Sequence, residues 1–218
     1  MKSSLTASTL GICRPNASVC LALLLALLAG GSLLSPATSA ADKNGDFALE
    51  GAGRATCSRF LTAVDEDSTE VLLFGGWLHG YITALNQLNE QTYDIVTWPS
   101  VQQQLQFLAG YCRENSKQRF FNAAAAMVEQ MRPYRLQSRE TLVQIPFSAG
   151  DGSVSVYPST LRRVKESLSS KGFLDGSAPF TEVWDTTLET ALKDFQRAKS
   201  LSVSGAPDSE TLLLLLLR

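Results

Sequence analysis

"ALKDFQRAKSLSVSGAPDSETLLLL", residues 191 to 215, contains parts of two helices and the turn between them. Leu188, Ala191, Leu192 and Phe195 recur at intervals of three and four, which puts them on one face of a helix. Asp185 or Thr186 stands where its N-cap belongs, and Thr186 with Glu189 fits a capping box. "LSVSGAP" then supplies the Gly and Pro that end a helix. Asp208 is the expected cap of a shorter helix that carries the leucine run Leu212 to Leu217. Upstream, a helix starting near Ser159 places Leu161, Val164 and Leu168 on one face, with Gly172 just past its end. Three short amphipathic helices predict a compact module over residues 158–218.

The leucine run is far short of the roughly 20 apolar residues that span a bilayer. A helix buries one stripe, and residues three or four apart share it. Leu212, Leu215 and Leu216 are expected to face the core of the module. Leu213, Leu214 and Leu217 are expected to form an interface with the preceding helical region, with a hairpin or with a partner.

The same stretch resembles a known family. Ala191, Leu192, Phe195 and Gln196, then Leu201, Val203 and Gly205, then Asp208 and Thr211 follow the pattern of the peptidoglycan-binding-like domain. Val164, Leu168, Gly172 and Phe173 match its first helix. The resemblance implies a three-helix fold and a role at the bacterial cell wall. The chain departs from the family before the second helix, at "TEVWDTTL". Trp184 takes the place of the usual Phe, Asp185 that of a Gly, and Leu188 that of a Thr. The customary Asp-Gly pair is missing, so the loop "LDGSAPFTEV" is atypical, and affinity for peptidoglycan rests on a remodelled surface.

Glycan and stem peptide present apolar sugar faces, amides and carboxylates. An exposed aromatic with nearby cations and amides suits them, which makes Phe180, Trp184, Lys193, Gln196 and Arg197 the candidate ligand-binding residues. Each has a plainer reading. Trp184 fits a core position or a hydrophobic staple, Gln196 a loop brace, and Lys193 with Arg197 a solvated helix face.

Residues 53–134 are helical in pattern. "TCSRFLTAVDED" places Cys57, Phe60, Leu61 and Val64 on one face. Ser68 is expected to open the next helix, with Leu73, Trp77, Tyr81 and Leu85 as its stripe. Gly75, Gly76 and Gly80 there are expected to admit another helix closely. Ser100 opens a third helix with Val101, Leu105, Leu108 and Cys112 in step, and Ser116 a fourth with Phe120, Ala124, Met127 and Met131. "ETLVQIPF" and "SVSVY" flank the turn signal "SAGDG", so residues 135–157 form either a short β-hairpin or an extended linker. The fold class expected is mainly α: a small disulfide-linked helical domain followed by a three-helix module.

The N-terminus has the order of a removable secretory signal. Lys2 and Arg14 precede the apolar "VCLALLLALL", and small residues around Thr38 and Ala40 offer a cleavage site. An uncleaved signal anchor is the alternative. On the first reading residues 1–40 leave, Cys13 and Cys20 with them, and residues 41–52 form a flexible lead-in. Cys57 and Cys112 remain. An even pair in an exported protein reads as a disulfide, against the alternative of two free buried thiols.

Here too there is a resemblance. Cys57, Phe60, Leu61 and Cys112 fall as in the HdeA-like periplasmic acid-stress chaperones, whose two cysteines form their single disulfide. It implies that helical fold for residues 53–134. The glycine-rich "FGGWLHGYITALN" departs from the acid chaperones themselves, so the fold carries over better than the activity.

A formal charge of −2 over 218 residues gives no basic footprint and argues against nucleic acid as a partner. The one histidine, His79, cannot supply a multi-imidazole zinc site. Asp65, Glu66, Asp67 and Glu70 could serve glycoside hydrolysis only as paired carboxylates; an acidic run at a helix boundary is more simply capping and solvated charge. No catalytic residue, metal or cofactor is expected. The function expected is that of an exported, non-catalytic cell-envelope protein, periplasmic or secreted. It would bind peptidoglycan or a wall-associated protein and keep no membrane span after signal cleavage. The alternative is an acid-stress chaperone working through the helical domain; an accessory to a peptidoglycan hydrolase, or an enzyme, is a more distant one.

Overall fold

A computed structural model describes residues 41–149, 151–177 and 179–217. The signal-peptide reading of residues 1–40 lies outside them. The chain divides into two units at residue 48, and residues 41–48 are the described part of the first. In the first, the Asp42 carboxylate accepts hydrogen bonds from the amides of Asn44 and Asp46, at 2.8 and 2.9 Å, and closes a turn.

The second unit begins with a 3-10 turn at Gly51–Arg54. Four helices follow: α1 Cys57–Asp65, α2 Val71–Leu88, α3 Val101–Glu114 and α4 Phe120–Met131. A two-stranded antiparallel hairpin comes next, β1 Val143–Pro146 with β2 Ser153–Val156. Three helices close the chain: α5 Pro158–Ser170, α6 Thr186–Ala198 and α7 Ser209–Leu216. No helix among the described residues is long and apolar enough to cross a membrane.

Two apolar clusters organise these elements. The first is aromatic. Phe60, Phe74 and Phe120 meet pairwise with ring centroids 4.7 to 5.0 Å apart, the tilted geometry that suits their quadrupoles. Cys57 of α1 and Cys112 of α3 are joined beside them in a disulfide, with Cα atoms 5.0 Å apart and 55 residues of separation. Thr56 caps α1 by accepting from the Arg59 amide. Ser100 and Gln103 form a reciprocal capping box on α3.

Three expectations shift here. α2 starts at Val71, because residues 66–70 are taken up in a turn closed by the Ser68 amide on the Ala63 carbonyl and the Val71 amide on the Ser68 carbonyl. Its buried stripe is Phe74, Leu78 and Ile82, while Leu73 is exposed and Trp77, Tyr81 and Leu85 flank the core. The helix is apolar nearly all round, so periodicity alone could not select the inner face. Of the three glycines, only Gly75 lies against another helix, where an added Cβ would meet Val101 and Leu105 at 3.4 and 3.6 Å. Finally, α4 starts at Phe120 rather than Ser116. The Cys57 amide donates to the Gln118 carbonyl and the Phe120 amide to that of Ala55, so the backbone before α4 is bridged to the start of α1.

The second cluster joins α5, α6, α7 and the hairpin. Leu161, Val164, Leu168, Leu188, Leu192, Phe195 and Leu212 are fully buried in it, and Ile145 and Val156 enter it from the two strands. A lone hairpin is marginal in water; this one rests its apolar face on the helices. The two clusters meet at Trp98, which packs against both. The Tyr134 ring sits edge-on to Trp98 at 5.4 Å, and its hydroxyl donates to the Leu216 carbonyl. Ser209 donates to the Trp98 carbonyl at 3.2 Å.

Candidate functional site

The atypical loop before α6 is held by a buried cation. Lys165 lies on α5, beside the stripe of Leu161, Val164 and Leu168, and its side chain is only 7% exposed. Its Nζ donates to Thr181 Oγ1 at 3.0 Å, to the Val183 carbonyl at 2.7 Å and to Asp185 Oδ2 at 2.6 Å. All three protons of the ammonium are thereby used. Asp185 is also the N-cap of α6, accepting from the Leu188 amide at 2.8 Å through its other oxygen. The cap is therefore Asp185, and no capping box forms on Thr186. Burial works against the Asp185 charge, but the Lys165 ammonium and the Leu188 amide outweigh it, so the carboxyl titrates below its ordinary value. The outcome is a loop, residues 181–185, pinned at three points. Lys165 escaped the sequence reading because a lysine on an amphipathic helix is usually solvated. The available signal was its spacing, four after Leu161 and three before Leu168.

Trp184 lies in that loop and Phe180 immediately before it. Trp184 is half-buried and packs against the second cluster. Phe180 is also half-buried, next to Gly176. Neither is withdrawn into the core. Lys193 and Arg197 lie on α6, and both are engaged along that helix: Lys193 with Glu189 at 2.6 Å and Arg197 with Asp194 at 2.7 Å. Arg197 is well exposed, Lys193 less so.

Gln196 has to be removed from the candidate set. It is completely buried. Its Nε2 faces Ser204 Oγ, the Ala206 carbonyl and Thr211 Oγ1 at 2.9 to 3.0 Å, and its Oε1 accepts from the Gly205 amide at 2.9 Å. Both ends of the amide are spent on the loop between α6 and α7 and on the first turn of α7. Gly205 sits in that loop with φ +70°, and a Cβ there would lie 2.4 Å from Ser148 and 2.8 Å from Lys193. Only glycine fits the space and the backbone together. Asp208 completes the arrangement by accepting from the Thr211 amide at 2.9 Å.

The expected leucine interface divides three ways. Leu217 packs against the first, aromatic cluster. Leu213 lines a cleft with Gln103, Gln106 and Phe107 of α3. Leu214 instead packs against its own module's core, together with Leu216, while Leu212 and Leu215 are buried there. An eight-residue helix packed on α5 and facing α3 buries more than one stripe, so the separation of inward from outward leucines was too strict.

The acidic run is occupied with structure. Glu70 pairs with Arg59 at 2.6 Å and Asp65 with Arg113 at 3.5 Å. Asp67 takes a left-handed turn conformation, φ +49°. His79 is exposed on α2. Among the described residues, no three His, Cys, Asp or Glu side chains are grouped to hold a metal ion.

No curated protein and no solved structure is significantly similar to the chain. A family model does match the region just described, and its description is that of a putative peptidoglycan binding domain. It covers residues 158–215, from the first turn of α5 to the last turn of α7. The C-terminal part of this chain, with its three-helix core and its Gln196-braced loop, is therefore a peptidoglycan-binding-like domain.

Proposed function

We propose that this is an exported, non-catalytic envelope protein whose C-terminal domain binds peptidoglycan through the face presented by Phe180, Trp184 and Arg197, with Lys193 at its edge. The observation that carries this reading is the family match over residues 158–215. The disulfide agrees with an oxidising compartment, and with the domain it points to the cell envelope or beyond. The pinned loop adds a physical reason. An aromatic on a rigid element offers contact area at little entropic cost, and Trp184 is flanked by three Lys165 hydrogen bonds. Residues 53–134, HdeA-like in this reading, would engage an envelope protein.

The test is co-sedimentation of the purified protein with isolated sacculi. The intact protein should pellet with them. Trp184→Ala should weaken the association about tenfold, the loss of roughly 1.4 kcal/mol. An intact protein that stays in the supernatant sinks wall binding, and clearing of sacculi in a gel sinks the non-catalytic reading. A second reading, an acid-stress chaperone, draws support from α2. That helix carries no Asp, Glu, Lys or Arg, and Leu72 and Leu88 are 74% and 77% exposed on it. Failure to suppress client aggregation at acid pH would remove that alternative.

A further inference from the structure

A second concave site lies away from the wall-binding face, between the 3-10 turn at residues 51–54, α1 and the first half of α2. It has a volume of about 630 Å3, within the range of about 300–1,000 Å3 typical of small-molecule sites. Leu73, Phe74 and Trp77 form its apolar lining, and Arg54, Arg59 and Glu70 are its charged groups.

The wall made by the 3-10 turn is set by Trp77. An added Cβ on Gly53 would lie 2.2 to 2.9 Å from the indole ring, so the backbone rests directly on the aromatic face. Trp77 is also held by Tyr81, stacked at 5.5 Å, and by Phe120, edge-to-face at 5.8 Å. This floor is preformed. Leu73 is 67% exposed on the groove. An apolar group entering would cover it and gain roughly 25 cal/mol for each Å2 removed from water.

The charges at the mouth do not balance. Glu70 is taken by Arg59, through Nε at 2.8 Å and a terminal nitrogen at 2.6 Å. Arg54 has no acidic partner among the described residues, and its side chain stands free while its carbonyl accepts from Arg119. The groove thus joins an apolar floor to an uncompensated guanidinium. That combination fits a single-headed amphipathic carboxylate of fatty-acid type, with its chain along Leu73 and Trp77 and its head on Arg54.

We infer that this groove is a binding site for such an aliphatic carboxylate, independent of the peptidoglycan-binding face. Dodecanoate, kept below its micellar concentration, is the probe, with dodecanol as the uncharged control. The purified protein should bind dodecanoate saturably at one site, with a change in tryptophan fluorescence that is absent in Trp77→Phe. Arg54→Glu should weaken dodecanoate about tenfold and leave dodecanol unchanged. Leu73→Glu should abolish binding of both. Leu73 is solvent-exposed, so far-ultraviolet circular dichroism of this variant should match the parent. Leu88→Ser changes the other exposed end of the same helix and should bind as the parent does. No saturable binding, or equal losses in Leu73→Glu and Leu88→Ser, would overturn the inference. So would dodecanoate affinity unaltered by Arg54→Glu.

Discussion

The two clusters of residues 49–218 reach order by different physics. The first joins distant segments by covalent and aromatic means: the Cys57–Cys112 bond and the Phe60, Phe74 and Phe120 contacts. The second has no covalent tie among the described residues. It fixes its loops with buried polar groups, Gln196 between α6 and α7 and Lys165 before α6. Apolar and disulfide contacts tolerate variation in their surroundings. A buried amide or ammonium does not, because every unmet hydrogen bond costs energy in a low-dielectric interior. The first cluster should therefore fail through loss of its staple, and the second through loss of single polar side chains.

The largest expected effect is on the staple. Replacing Cys57 and Cys112 with Ser opens a loop of 55 residues, which costs about 4 kcal/mol in the loop-entropy model. Denaturant unfolding should show that loss, and reductant should reproduce it in the parent. A change within error would show that the aromatic cluster alone organises α1 and α3. Next comes Gln196→Ala. It strands the Gly205 amide and the Thr211 hydroxyl in the interior, while Ser204 keeps its bond to Asp208, for about 3 kcal/mol. Amide exchange should rise at Gly205 while the backbone of α3 stays protected. Uniform exchange across both clusters would instead mean that they unfold as one.

Lys165→Met is a smaller perturbation, about 2 kcal/mol, because Asp185 is 41% exposed and solvent recovers part of its charge. It has a pH signature. Asp185 titrates below its ordinary value in the fold. The stability it contributes is present above the ordinary carboxylate pKa of about 4 and is lost as pH falls through the lower folded value. The gap between parent and Lys165→Met should therefore narrow in acid. A gap that is constant with pH would assign the effect to packing. The smallest change is a gain. Ser200 closes α6 with φ +56°, donating its amide to the Arg197 carbonyl. Ser200→Gly should stabilise by about 1 kcal/mol, read as a raised melting temperature.

The sequence carried the second region well where spacing is strict. Leu161, Val164, Leu168, Leu188, Leu192 and Phe195 were legible as inner faces because the helices are amphipathic and short. Asp208 was legible as a cap, and Cys57 with Cys112 as a pair. The first region was less legible. α2 is apolar on almost every side, so its stripe was misplaced by one residue, and the start of α4 was displaced by backbone pairing that no local pattern announces.

The candidate sites divide along the same line. Trp184 and Phe180 could be named from an aromatic in an atypical loop. For Gln196 the sequence offered both a ligand role and a loop brace, and the buried contacts select the brace; that Lys165 holds the loop, and that Gly51 and Gly53 wall an arginine-rimmed groove against Trp77, could not be named. Helix faces, caps and cysteine pairing are set by intervals of a few residues and by redox chemistry, so the amino-acid order determines them. Which polar group is buried, which cation lacks a partner and which leucine meets which cluster depend on segments brought together from 20 to 100 or more positions away, as when Ser209 reaches Trp98 across 111 residues. Desolvation and hydrogen-bond saturation exist only once those segments have met, and so the tertiary structure alone decides them.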